Sequence, residues 1–190
     1  MGRTNVYGKR GDGMKATGIV RRIDELGRIV IPKEIRRTLR IRESDPVEIY
    51  MGEAGEILLK KYSPLLGLQD VAEEYAQALN GAFGLTSAIC DRESVVAAVG
   101  RERRWLQNKA LLPAFQKGLS RGQVLQEPQL SLTEDQPGPF SRVLAVPIQM
   151  EGECVGGVCL CAVPGGPGIP PEAQSSLQIA ALFLQKLINT

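Results

Sequence analysis

Apolar positions divide the chain into two unlike stretches. In the first, two short runs, Thr17 to Ile23 and Arg28 to Ile31, read as strands either side of an Asp24-Glu25-Leu26-Gly27 turn. They do not alternate cleanly, because Ile19, Val20, Ile29, Val30 and Ile31 put apolar groups on both faces. Pro32 suits the first turn of a short helix, where its missing N–H costs nothing, and Ile35 and Leu39 give that helix one apolar edge. Pro46 to Met51 and Glu56 to Tyr62 predict a hairpin across Gly52-Glu53-Ala54-Gly55. Near Tyr62-Ser63-Pro64 the pattern changes. Leu68, Val71, Ala72, Tyr75, Ala76 and Leu79 follow helical spacing, and Leu85 to Cys90 and Ser94 to Val99 read as strands around Asp91-Arg92-Glu93. Arg103 to Leu119 reads as a helix that Pro113 kinks or splits.

The last third is the most apolar. Arg142 to Gln149 and Cys154 to Val163 predict a hairpin across Met150-Glu151-Gly152-Glu153. Leu144, Val146 and Ile148 alternate with Val143, Ala145 and Pro147, so the first of these strands needs cover on both faces. Pro171 to Asn189 closes the chain as a helix with Leu177, Ala180, Ala181, Leu184, Leu187 and Ile188 on one face. Ile179, Leu182 and Phe183 widen that face beyond one sheet contact, which predicts a second helical interface and an oligomer larger than a dimer. The first stretch poses the opposite problem. About 50 residues with apolar groups on both strand faces and one short helix cannot cover themselves, and pairing with a second copy is the economical solution.

The chain has 190 residues, room for two small domains. No apolar run approaches the roughly 20 residues that span a bilayer, and no secretory signal opens the sequence, so no membrane partner and a cytoplasmic location are expected. There is no histidine, which removes Ser-His-Asp and Cys-His catalysis and His-bearing zinc sites. Cys90, Cys154, Cys159 and Cys161 form no CxxC pair and are expected as reduced, packed thiols; no cofactor, metal or catalytic residue is assigned. Charge is uneven. Residues 1–63 hold 14 Lys and Arg against 9 Asp and Glu, a net +5, whereas residues 64–190 carry a net −3. Between Lys15 and Arg42 the net is +6. Such a segment suits a polyanionic partner, and its bland alternative is a solvated surface. The expected organisation is a leader or extension at 1–13 with Met14 as functional start, a basic domain at 14–62, a linker at 63–68 and a second domain at 69–190.

The run from Lys15 through Thr17-Gly18-Ile19-Val20-Arg21-Arg22-Ile23-Asp24-Glu25-Leu26-Gly27-Arg28-Ile29-Val30-Ile31-Pro32 to Ile41, continued by Glu48-Ile49-Tyr50 and Ile57-Leu58-Leu59-Lys60-Lys61-Tyr62, resembles the DNA-binding domain of AbrB-type transition-state regulators. The resemblance implies a swapped-hairpin β-barrel, an intertwined dimer whose strands interleave. It also implies contact with double-stranded DNA through Arg21, Arg28, Arg36 and Arg37, helped by Arg22 and Lys15. Guanidinium groups grip phosphates bidentately and pair with guanine O6 and N7. Helix-dipole compensation is the alternative for Arg36, Arg37 and Arg40, and an exposed strand edge for Arg21 and Arg22.

The second stretch is similar to GAF-type sensory domains in its element order, in Ala88-Ile89-Cys90-Asp91-Arg92 and in the Val143–Ile148 and Gly152–Val158 segments. The expected fold class is therefore α+β, an N-terminal swapped-hairpin barrel followed by a GAF-like α/β sandwich with flanking helices. A head and tail so combined resemble the sporulation-stage transcription regulators of spore-forming bacteria. That likeness implies a tetramer through the C-terminal helices, action in the developing spore, and control by an unidentified small-molecule ligand. Its pocket would lie near Trp105 to Leu132, where Trp105 and Phe115 read as core, and Arg101, Arg103 and Arg104 as a solvated cluster.

Two rival classes remain. Some GAF-like domains are thiol-dependent reductases. Here Cys159 and Cys161 share a strand parity that Cys154 lacks, and no basic neighbour lowers a thiol pKa. An antitoxin-like DNA-binding module would carry a short disordered tail, where this chain has about 120 residues with a core of their own. The Pro164-Gly165-Gly166-Pro167-Gly168 tract lacks the Lys-Ser/Thr end of a phosphate-binding loop and reads as turn.

Overall fold

A computed structural model describes residues 17–39, 41, 43, 45–53 and 55–189. The chain divides into two compact units, Met1–Lys61 and Tyr62–Thr190. In the first, helix α1 (Lys33–Thr38) follows Pro32, and strands β1 (Val47–Met51) and β2 (Ile57–Lys61) pair antiparallel from Val47↔Lys61 to Met51↔Ile57. The hairpin closes with Gly52 N–H donating to the Glu56 carbonyl at 2.8 Å.

The runs expected as strands at Thr17 to Ile23 and Arg28 to Ile31 enter no ladder among the described residues. A strand needs a paired neighbour, and among the described residues the two limbs are joined only at their base, where Asp24 N–H donates to the Arg28 carbonyl at 3.0 Å and the Asp24 carboxylate accepts from Arg28. Their apolar side chains face water: Val20 is 85% exposed, and Ile23, Ile29 and Val30 are exposed with it, as is Met51 on β1 at 89%.

The second unit is a five-stranded antiparallel sheet in the order β4-β3-β7-β6-β5, built from β3 (Thr86–Asp91), β4 (Val95–Val99), β5 (Leu125–Leu130), β6 (Phe140–Met150) and β7 (Glu153–Ala162). Each face has its own core. On one, Ile89, Leu144, Val146, Ile148, Val158 and Leu160 meet the apolar sides of α2 (Gln69–Phe83) and α5 (Ala173–Ile188). On the other, Ala88, Cys90, Val143, Ala145, Cys159 and Cys161 form a floor of mostly small residues. Leu106 of α3 (Arg103–Leu106), Phe115 and Leu119 of α4 (Pro113–Leu119), Leu111 and Leu132 pack onto it. The two-parity pattern of residues 143–148 is thus expressed as a strand covered on both sides. No helix of the described residues is long and apolar enough to cross a membrane.

Three local features depart from the sequence reading. The Arg103–Leu119 helix is split well before Pro113, because residues 107–110 leave it to cover the open edge of β4. Asn108 N–H donates to the Val95 carbonyl and Val95 N–H to the Lys109 carbonyl, while the Gln107 side chain bonds both Ala98 N–H (2.7 Å) and the Val96 carbonyl (2.9 Å). At the opposite edge lies β5, a strand that the apolar pattern does not predict. Its residues Gln126-Glu127-Pro128-Gln129 are exposed and lack alternation, and Pro128 withholds a ladder N–H, which blunts that edge. Residues 63–68, expected as a linker, are held to the second unit. Ser63 Oγ donates to Asp91 Oδ2 at 2.9 Å, and Leu65 is fully buried in the α2/α5 core against Gly156.

Gly156 leaves no room for a side chain, since a Cβ there would lie 2.2 Å from the Cys90 carbonyl oxygen and 2.5 Å from Leu65 Cδ1. Gly156→Ala is therefore expected to destabilise the second unit by about 1–3 kcal/mol. Gly81→Ala, on α2 with open space around it, should stabilise by about 0.5–1 kcal/mol. Chemical denaturation of the two variants checks both signs.

Candidate nucleic-acid interface

All five described arginines expected at the interface, Arg21, Arg22, Arg28, Arg36 and Arg37, are solvent-exposed side chains of the first unit. Lys15 and Arg40 lie outside the described residues. Arg21 and Arg22 sit on the limb entering the Asp24 turn and Arg28 on the limb leaving it, while Arg36 and Arg37 occupy the last turn of α1. No side-chain hydrogen bond among the described residues links the two groups. Arg21 Nη1 donates to the Val20 carbonyl at 3.0 Å.

The turn is built around one carboxylate. Gly27 takes φ +75°, and its N–H donates to the Asp24 carbonyl at 3.0 Å. Asp24 Oδ1 accepts from the backbone N–H of Leu26 (3.0 Å) and of Arg28 (2.8 Å), and Oδ2 accepts from Arg28 Nε at 2.7 Å. The Arg28 backbone N–H, then its guanidinium, hold the Asp24 carboxyl below its ordinary pKa of 3.8. The sequence reading gives Asp24 only a turn role. An Asp followed by Gly at i+3 and Arg at i+4 is the signal for this arrangement.

In α1, Glu34 lies in the first turn and Arg36 and Arg37 in the last, which satisfies the helix dipole. That role does not consume them, because both guanidinium groups remain in solvent.

In the second unit, Phe115 is fully buried, whereas Trp105 is half-buried with the Arg104 guanidinium 4.2 Å from its ring centroid. Arg103 pairs with Glu73 at 3.0 Å. The Thr86 hydroxyl donates to Glu102, and Thr133 Oγ1 to the Trp105 carbonyl at 2.7 Å. The region expected as a ligand pocket is thus filled by the protein's own Leu106, Leu111, Phe115 and Leu132.

Cys154 does not take the face that strand parity predicts for it. A bulge opposite Ile148 and Gln149 shifts the β6–β7 register, so Val155 turns to the α2/α5 core and Cys154 packs on the same side as Cys159 and Cys161. All four thiols therefore gather toward one face. Hydrogen bonding to Cys159 and then burial raise the Cys90 thiol pKa, and burial raises those of Cys154 and Cys161. These sulfurs stay protonated at neutral pH, the opposite of an activated nucleophile. Among the described residues, no group of three or more Cys, Asp or Glu could hold a metal ion.

Comparison with known proteins gives two family matches. Residues 67–189 match the family described as stage V sporulation protein T C-terminal, transcription factor. Residues 20–66 match that described as antidote-toxin recognition MazE, bacterial antitoxin. Stage V sporulation protein T of Bacillus subtilis (strain 168) is 45% identical over 150 residues, covering 77% of this chain and 84% of that protein. Transition state regulatory protein AbrB of the same organism is 43% identical over 95 residues, 50% of this chain and 96% of that protein. Among solved structures, the PixJ GAF-domain of Thermosynechococcus elongatus aligns with a TM-score of 0.50 at 15% identity, over 67% of this chain and 90% of that one. This last likeness is one of fold alone.

The thiol arrangement sets an order of reactivity. With a water-soluble thiol reagent at pH 8, Cys154 is expected to react first and more slowly than free cysteine, and Cys90, Cys159 and Cys161 only on unfolding. Fast reaction of three or four thiols in the native protein would contradict the packing.

Proposed function

The chain belongs to the stage V sporulation protein T family of transcription factors, and we propose that it regulates transcription by gripping double-stranded DNA with the exposed arginines of its first unit. The observation that carries this reading is the set Arg21, Arg22, Arg28, Arg36 and Arg37, presented to solvent from one glycine turn and one six-residue helix. With so short a helix, a basic surface repeated by symmetry does the gripping, and Lys15 would add to it. Sporulation genes are the proposed targets, on the strength of the relative's name, and the cytoplasm, including that of the developing spore, is the proposed site of action.

Self-association follows from burial. The first unit leaves Ile19, Val20, Ile23, Ile29 and Val30 in water, which supports an intertwined swapped-hairpin dimer in which a second copy covers them. On α5, Ile179, Leu182 and Phe183 are exposed beside the buried Leu177, Ala180, Ala181 and Leu184, which supports a tetramer through the C-terminal helices. Small-molecule sensing by the GAF-like unit would require the side chains over the small-residue floor, Phe115 foremost, to move aside. The reductase reading loses support from the protonated, buried thiols. The antitoxin description attaches to residues 20–66 alone and leaves the separately folded second unit unaccounted for.

Two measurements test this reading. The slope of log K against log salt on a mixed-sequence duplex should be steep, and Arg36→Ala and Arg37→Ala should each flatten it by about 0.9 for every phosphate no longer neutralised. An unchanged slope in both variants would contradict it. Sedimentation should show Leu182→Glu, with Ile179→Glu, converting tetramers to dimers, and an unchanged mass would overturn the α5 interface.

A further inference from the structure

We propose that Asp24 positions Arg28 to read guanine, so that this pair sets sequence discrimination while the remaining arginines supply sequence-independent grip. The inference rests on the DNA-binding reading above and assigns Arg28 a task different from that of its neighbours.

One carboxylate controls both the backbone and the side chain of Arg28. Through Oδ1 it holds the Arg28 N–H at 2.8 Å, and through Oδ2 it holds Nε at 2.7 Å. The Asp24 N–H on the Arg28 carbonyl closes the same loop from the other side. A guanidinium anchored at Nε keeps its far edge free, and among the described residues no hydrogen bond occupies either Nη. The side chain is 71% exposed, and that of Asp24 43%, so the free edge is open to a ligand. Two parallel Nη donors match the O6 and N7 acceptors of guanine in the major groove. Because the arm is already oriented, less rotamer freedom is lost on binding.

Electrostatics decides between base and phosphate. The Asp24–Arg28 pair is net neutral, and its carboxylate opposes the approach of a phosphate. Guanine O6 and N7 carry only partial negative charge and meet a weaker repulsion. Arg22, Arg36 and Arg37 have no carboxylate partner among the described residues and keep their full charge for phosphate. Arg28 holds the Asp24 carboxyl below its ordinary pKa, so the pair is ionised at neutral pH.

The experiment uses the full chain, a duplex site selected from a random pool, and the same duplex with 7-deazaguanine replacing one guanine at a time. The wild-type chain should lose affinity at one guanine per half-site. Arg28→Ala should abolish that sensitivity and lower the ratio of selected-site to mixed-sequence affinity by about 5- to 150-fold for each guanine read. Asp24→Asn keeps an oxygen to cap the turn but loses the carboxylate that holds Nε, and it should abolish the same sensitivity. Its affinity for mixed-sequence DNA should be unchanged or higher, because a negative charge is gone. A merely structural turn role would spare Asp24→Asn, or lower both affinities together in Asp24→Ala. If Arg28→Ala removes discrimination and Asp24→Asn retains it, the positioning role of Asp24 is overturned. If Arg28→Ala changes neither affinity nor discrimination while Arg36→Ala weakens binding, the guanine assignment fails and the DNA-binding reading stands. If none of the arginine variants binds DNA differently from wild type, that reading itself fails.

Discussion

An apolar strand face has to be covered, and the two units of this chain meet that demand in different ways. In the second unit the central strands β6 and β7 are apolar on both sides, so helices must lie on both faces of the sheet. The chain supplies them from opposite ends of the domain. α2 and α5, first and last in order, take one face, and the Arg103–Leu132 region takes the other. The same demand in the first unit goes unmet within one chain. Its limbs are too short and its single helix too small, and aliphatic side chains stay in water beside the arginines. A second copy is the proposed cover for that unit.

The arginines follow a complementary logic. A turn stabilised from within, by the Asp24 carboxylate and by Gly27 at positive φ, has no need of the arginine side chains for its own packing. Those of Arg21, Arg22, Arg36 and Arg37 are left outside, and Arg28 is the one that the turn's carboxylate holds. In the second unit several basic groups pair locally instead, Arg92 with Glu153 and the Cys154 carbonyl, Arg103 with Glu73, and Lys109 with Asp135. The uneven charge of the sequence thus corresponds to a difference in use.

Much of this was legible in the residues because burial leaves a periodic trace. The double parity of residues 143–148, the α2 stripe and the surplus apolar positions on α5 all express a face that must or need not be covered. What escaped has no such trace. β5 lies on an edge and is polar. The β6–β7 bulge inverts parity at Cys154, and one extra residue cannot be seen by counting alternate positions. Leu65 resembles any linker leucine until Gly156 is seen to make room for it. Asp24 is an ordinary turn residue by composition. Its hold on Arg28 depends on both carboxylate oxygens finding donors at once, which is geometry and not pattern.

The proposed DNA interface lies on the first unit and not on the second. Hydrogen exchange of the full chain, with and without a duplex, tests it most directly. Slowed exchange is expected on DNA addition at residues 17–41, strongest around the Asp24–Arg28 turn and α1, with the sheet amides of residues 86–162 unchanged. Slowing confined to the second unit, or none at salt low enough to saturate binding, would contradict it.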